Sequence, residues 1–174
     1  MKELDKLKKS SCTCKECISY CEKTPGWFRP KEIPLLAEFL ELPIVKVFEK
    51  YLIADFWIGD EKNIYVLSPV KDLDHSELPE HELITIQKEH NELLGRDRDK
   101  AGKRASWGYA FIYAPCIFLK DDRCTIYPVR PFECAIANHN ETPKNIRELI
   151  SREWHNNHLI ETLLTTKGTK KEKQ

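Results

Sequence analysis

The chain carries no net charge. Its 174 residues hold 28 Lys and Arg against 28 Asp and Glu, and the pI is near 7.0. A protein that adheres broadly to nucleic acid needs a basic excess, so that class is excluded and nucleic acid is not an expected partner. Long apolar runs are also missing. Nothing approaches the roughly 18 to 20 consecutive apolar residues of a membrane span, so no membrane association is expected. The opening stretch MKELDKLKKSS is charged and lacks the apolar core of a secretory signal. These absences lead us to expect a cytoplasmic protein. There is no dinucleotide fingerprint, no nucleophile–base motif and no pair of catalytic carboxylates. Nor is there a P-loop, because Gly95 and Gly102 have the wrong spacing and Arg104 stands where Ser or Thr is needed.

What is plentiful is cysteine, in two groups. Cys12, Cys14, Cys17 and Cys21 lie near the N-terminus; Cys116, Cys124 and Cys134 lie within PCIFLKDDRCTIYPVRPFEC. In a reducing compartment such clusters read as metal-binding or redox rather than as disulfides, and seven is an odd number. Small buried cysteines can simply pack in a core. That explains four within ten residues poorly, because Lys15, Glu16, Glu22 and Lys23 make the segment polar. The spacing Cys14-x2-Cys17-x3-Cys21 puts three thiols along one face of a helix, or lets a loop wrap one ion or cluster.

The second group depends on register. Cys116 and Cys124 fall on opposite arms of an expected hairpin, CIFL and CTIY, joined across KDDR. A two-residue turn at Asp121-Asp122 pairs Leu119 with Cys124 and puts the two cysteines on opposite faces. A three-residue loop, Asp121 to Arg123, puts them on one face, and ligation of one ion through a regular hairpin predicts that loop. Pro131 is placed to open a short helix with Cys134 in its first turn, where the helix N-terminus lowers a thiol pKa.

The rest of the sequence indicates an α+β fold: short helices, a small antiparallel sheet or hairpin, and a C-terminal helix, organised around a cysteine-ligated metal site. Residues 1–11 read as a polar leader, 12–166 as one cysteine-cluster domain and 167–174 as a disordered basic tail. Two short helices are expected at 32–52, with Leu35, Leu36, Phe39 and Leu40 on one face and Val47, Phe48, Tyr51 and Leu52 on the next. The Leu42-Pro43 step separates them. IYVL at 64–67 reads as a strand, residues 83–94 as a strand or short helix, and 95–106 as a charged, solvated loop. Trp107, Tyr109, Phe111 and Tyr113 alternate at strand spacing, which suits core packing better than base stacking. Residues 144–165 read as one amphipathic helix with Ile146, Leu149, Ile150, Trp154, Leu159, Leu163 and Leu164 inward.

The stretch PC-x-FL-x4-C-x-IY-x2-RP-x2-C, from Pro115 to Cys134, resembles the signature of YkgJ-type cysteine-cluster proteins, the CxxCxxCC zinc- or iron-chelating domain. That pattern ends in adjacent cysteines, whereas three residues separate Cys17 from Cys21 here and Cys12 is an upstream extra. The resemblance implies a cytoplasmic domain holding zinc or an iron–sulfur cluster. Some relatives are attached to, or resemble, lysine methylases of flagellin.

Four thiolates satisfy tetrahedral zinc and a [4Fe–4S] cluster alike. The expected ligand set is Cys14, Cys17, Cys21, Cys116, Cys124 and Cys134, with Cys12 optional. An ordinary zinc ribbon has C-x2-C knuckles in both halves. The x7 and x9 spacings of the second group depart from that and lean toward iron–sulfur. Arg130 and Tyr127 are candidate supports behind the ligands, the guanidinium offsetting thiolate charge; the plainer reading pairs Arg130 with Asp121, Asp122 or Glu133. His139 reads first as an ordinary surface or core residue, and His155 and His158 as helix surface. Three functions stay open: a metal-binding domain, a redox or methyl-transfer enzyme with an iron–sulfur centre, and a zinc-stabilised module for a protein partner.

Overall fold

The computed structural model describes residues 3–7, 9, 14–58, 63–72, 114–137 and 145–168. Expectations for 83–106, for the aromatics Trp107, Tyr109, Phe111 and Tyr113, and for Cys12 and His139 lie outside them.

A 3-10 turn at Glu3–Lys6 leads to α1 (Lys15–Lys23), α2 (Glu32–Phe39) and α3 (Ile44–Tyr51). Strands β1 (Leu52–Ile58) and β2 (Asn63–Pro69) follow, then the short strands β3 (Leu119–Lys120) and β4 (Arg123–Cys124). A 3-10 turn at Tyr127–Val129 precedes α4 (Phe132–Ile136), α5 (Ile146–Trp154) and α6 (Leu159–Gly168). Helices with two small antiparallel sheets make this an α+β fold. No helix among the described residues is long and apolar enough to cross a membrane.

The leader is not wholly polar in its role, because Leu4 is buried in the core and Asp5 pairs with Arg29 and Lys31. In α2 the expected face is rotated. Ile33, Leu36 and Ala37 are buried while Leu35 and Phe39 are exposed, because burial follows the side turned to α3 and the Tyr127–Val129 turn. The helix stops with Glu41 at φ 53°, where Leu42 N–H donates to the Ala37 carbonyl and Glu41 N–H to that of Glu38. This left-handed stop is usually glycine's. Pro43 then opens α3, whose Val47 and Phe48 are fully buried.

Leu52, expected on the second helix, instead begins strand β1, which was not anticipated although LIADFWI has the β-branched and aromatic content of a strand. It pairs antiparallel with β2, from Leu52 opposite Pro69 to Ile58 opposite Asn63. α3 packs on β1, α6 on β2, and α5 on both. That cover explains why Leu52, Ile53 and Ala54 are all buried, as are Val66 and Leu67.

The expected C-terminal helix is two helices. Asn157 Oδ1 accepts from Leu159 N–H at 2.9 Å and starts α6 afresh. The break re-aims the apolar face, so Ile160 and Leu163 join Ile146, Leu149, Ile150 and Trp154 in the core and Leu159 is half-buried. α6 runs to Gly168, two residues into the expected tail.

The hairpin has the other register. Leu119 faces Cys124 and Lys120 faces Arg123, so the turn is the two residues Asp121 and Asp122. Both have positive φ, 48° and 57°, as a tight turn of the type favoured in hairpins requires, and Asp tolerates this conformation. The three-residue loop, and with it ligation of one ion through a regular hairpin, is therefore overturned.

Candidate metal centre

α1 carries Cys17 and Cys21 into the structure and leaves Cys14, at its N-terminal cap, exposed. Cys21 packs against the core, and its carbonyl accepts from Cys116 N–H at 2.7 Å, so the two cysteine groups meet at the backbone.

Cys116 is buried and bridges to Lys71, a buried lysine whose pKa burial pulls down to about 8. The chain then departs from strand geometry: Leu119 N–H donates to the Cys116 carbonyl at 2.8 Å, closing a turn over Ile117 and Phe118. That turn is why the register argument fails without separating the cysteines. Cys116 sits before it, off the regular ladder, and still shares a cavity with Cys124.

The cavity measures about 550 Å³. Of the six described cysteines, Cys17, Cys21, Cys116, Cys124 and Cys134 line it, and Cys14 does not. Arg130 and Tyr127 also line it, whereas His155 and His158 are exposed between α5 and α6, with His158 Nδ1 2.9 Å from Glu161. Among the described residues, no three His, Cys, Asp or Glu side chains are grouped as ready ligands of a single ion.

Backbone amides attend two of the sulfurs. The backbone N–H groups of Phe118 and Leu119 near Cys116, and of Ile126 near Cys124, act to lower those thiols' pKa values. Such donors favour a thiolate. Burial is the larger influence: it pushes the Cys116 thiol up to about 12 and the Cys124 thiol upward as well. Both therefore keep their protons at neutral pH.

Cys21 and Cys134 are hydrogen-bonded to each other. Cys134's donation lowers the Cys21 pKa, against burial and with help from the Arg130 charge. Cys134 moves the other way, held up by that same bond and by burial. Pro131 does open α4 with Cys134 in its first turn, yet the expected lowering of the Cys134 pKa does not follow, because this thiol is the one that donates to Cys21.

Arg130 donates from Nη1 to the Tyr127 carbonyl at 2.6 Å, and its Cζ stands 3.7 Å from the Tyr127 ring centroid. Its charge acts on both Cys21 and Cys124. Glu133, one acid weighed as its partner, directs its oxygens to Trp27 N–H and Arg147 instead. Tyr127 Oη is buried with no hydrogen-bond partner, the single such side-chain atom among the described residues.

The sequence reading missed Gly26 as more than a turn residue. A Cβ built on it would lie 2.6 Å from Cys134 Sγ, closer than real Cβ atoms come, and a tight 3.0 Å from Cys134 N. A glycine just after one cysteine group was the only available signal. No protein-family model matches the chain, and no curated protein or solved structure shows significant similarity to it.

Proposed function

We propose that this protein is a metal-binding domain of the YkgJ type that holds an iron–sulfur cluster through cysteines of both groups. The observation that carries this is the gathering of Cys17, Cys21, Cys116, Cys124 and Cys134 around one cavity of about 550 Å³. Cys21, Cys116, Cys124 and Cys134 are the four we assign as ligands, with Cys17 as the spare. An ordinary zinc site pairs C-x2-C knuckles in both halves; the x7 and x9 spacings of Cys116, Cys124 and Cys134 depart from that and favour the cluster.

The donor chemistry fits. Amides of Phe118, Leu119 and Ile126 already address sulfur, and hydrogen bonds to sulfur are among the determinants of cluster potential. Arg130 offsets thiolate charge at Cys21 and Cys124. The orphaned Tyr127 hydroxyl, an energetic cost of about 1–3 kcal/mol as it stands, belongs to a residue of the same wall. A bound cluster would supply one-electron transfer.

Anaerobic purification, followed by an optical spectrum and elemental analysis of one sample, tests this. Broad absorbance near 400 nm (the approximate region for thiolate-ligated iron–sulfur) with iron matched by sulfide is the expected result. A colourless protein with stoichiometric zinc would replace the reading by a zinc-stabilised module. Arg130→Ala should retain metal about tenfold less well with little change in melting temperature; equal metal content would remove Arg130 from the site.

A further inference from the structure

Cys134 stands on a helix of five residues, Phe132–Ile136. A helix that short does not hold its own orientation, so something outside it must fix the thiol. Glu32 Oε2 accepts from Phe132 N–H at the start of this helix, and the contacts next to the thiol itself converge on the preceding residue. Glu133 Oε2 accepts from Trp27 N–H at 2.8 Å, and Glu133 N–H donates back to the Trp27 carbonyl at 3.3 Å. The two residues are clasped side chain to backbone and backbone to backbone. Gly26, next to Trp27, is thereby pressed against Cys134 Sγ, with no room for a Cβ between them.

Trp27 is fixed in turn. It is buried, its indole N–H donates to Asp55 Oδ2 on β1 at 2.8 Å, and its ring meets Trp57 edge-on at 6.3 Å. The last member comes from α5, beyond the final cysteine. Arg147 Nε donates to Glu133 Oε1 at 2.7 Å, and its guanidinium lies 4.6 Å from the Trp27 ring centroid. One side chain therefore holds both halves of the clasp.

We infer that Glu133 and Arg147 are positioning residues for the metal centre: through Trp27 and Gly26 they set where Cys134 Sγ stands, without touching the cofactor themselves. The inference rests on the cofactor reading above for its purpose, though not for its test. It gives α5 a part in the site that the cysteine pattern does not contain.

The test uses the full chain with Glu133→Gln, Arg147→Met and the double variant. Arg152→Gln, which breaks the exposed Arg152–Glu148 pair on the same helix, is the control. In reduced, metal-free protein, iodoacetamide labelling of each cysteine is timed by peptide mass spectrometry. Each single variant should label Cys134 measurably faster than wild type. Cys124 labelling should not change. The double variant should be no faster than the quicker single, because both act through one bridge. In metal-loaded protein, transfer to a chelator should accelerate about tenfold, the scale of loss for groups that orient ligands, and Arg152→Gln should match wild type in both assays.

An unchanged Cys134 rate overturns the inference, as does acceleration of Cys124 and Cys134 together, which means general loosening. If wild type holds no metal while Cys134 alone accelerates, the cofactor reading fails and the bridge stands. If wild type holds metal and neither rate moves, the bridge fails and the cofactor reading stands.

Discussion

Cys14, Cys17 and Cys21 ride on one helix, whereas Cys116, Cys124 and Cys134 come from three different elements: a tight turn, a hairpin arm and a five-residue helix. The first arrangement is cheap in sequence but grades its members by depth. At about 1.5 Å per residue, Cys14 and Cys21 are roughly 10 Å apart along the axis, so α1 delivers Cys17 and Cys21 to the cavity and leaves Cys14 exposed outside it. The second arrangement needs many supporting contacts and converges. Amides on Cys116 and Cys124 and the Glu133 clasp beside Cys134 all come from within or around that stretch. Cysteines that share one helix are thus not equal in their access to the cavity.

Removing single thiols should separate the two groups most sharply. Cys116→Ser and Cys134→Ser are expected to lose most of the bound metal, and Cys14→Ser to keep nearly all of it, measured as metal per chain after anaerobic desalting. If Cys14→Ser empties the protein as thoroughly as Cys134→Ser, the depth argument is wrong and α1 moves when metal binds.

The next effect lies in packing between the groups. Gly26→Ala places a methyl 2.6 Å from Cys134 Sγ and 3.1 Å from Glu133 Cβ. Overpacking of this kind costs typically about 1–3 kcal/mol, and urea unfolding of the reduced, metal-free protein should show it. Ala at the exposed Cys14 should cost close to nothing. An unchanged midpoint for Gly26→Ala would mean that the Cys134 thiol gives way freely, and that the second group is less firmly built than its contacts suggest.

Much of this was legible from local pattern, and the failures share a cause. The cysteine grouping, the Pro131 helix start, the Pro43 boundary and the strand at 64–67 depend on short-range chemistry, and each appears in the fold. The α2 face, the single C-terminal helix and the hairpin register do not. Leu35 and Phe39 look as apolar as Leu36, but only the position of α3 decides which are covered. Asn157 looks like helix surface until its side chain caps Leu159. The register argument assumed that Cys116 continues the β3 ladder, and the turn over Ile117 and Phe118 removes it. Gly26, Glu133 and Arg147 act only across distant contacts, so no spacing rule pointed to them.

Glu32 offers the smallest and most quantitative test, because it ties α2 to the second cysteine group. Its Oε2 accepts from Arg29 N–H at 2.9 Å and from Phe132 N–H at 3.0 Å, joining α2 to the start of the Cys134 helix. Burial raises its pKa, with the two amide bonds opposing. A carboxyl whose folded pKa lies above its unfolded value binds its proton more tightly in the folded state. The stability it confers is complete below the unfolded pKa, near 4.3, and is lost as pH rises through the folded pKa. Glu32→Gln keeps one oxygen to accept both amides and cannot ionise. Urea unfolding of both proteins across pH 4 to 8 should therefore show the wild-type advantage shrinking as pH rises and then levelling off. An advantage that grows with pH would mean the amides outweigh burial, making Glu32 a depressed carboxylate and the joint between α2 and the Cys134 helix an electrostatic one.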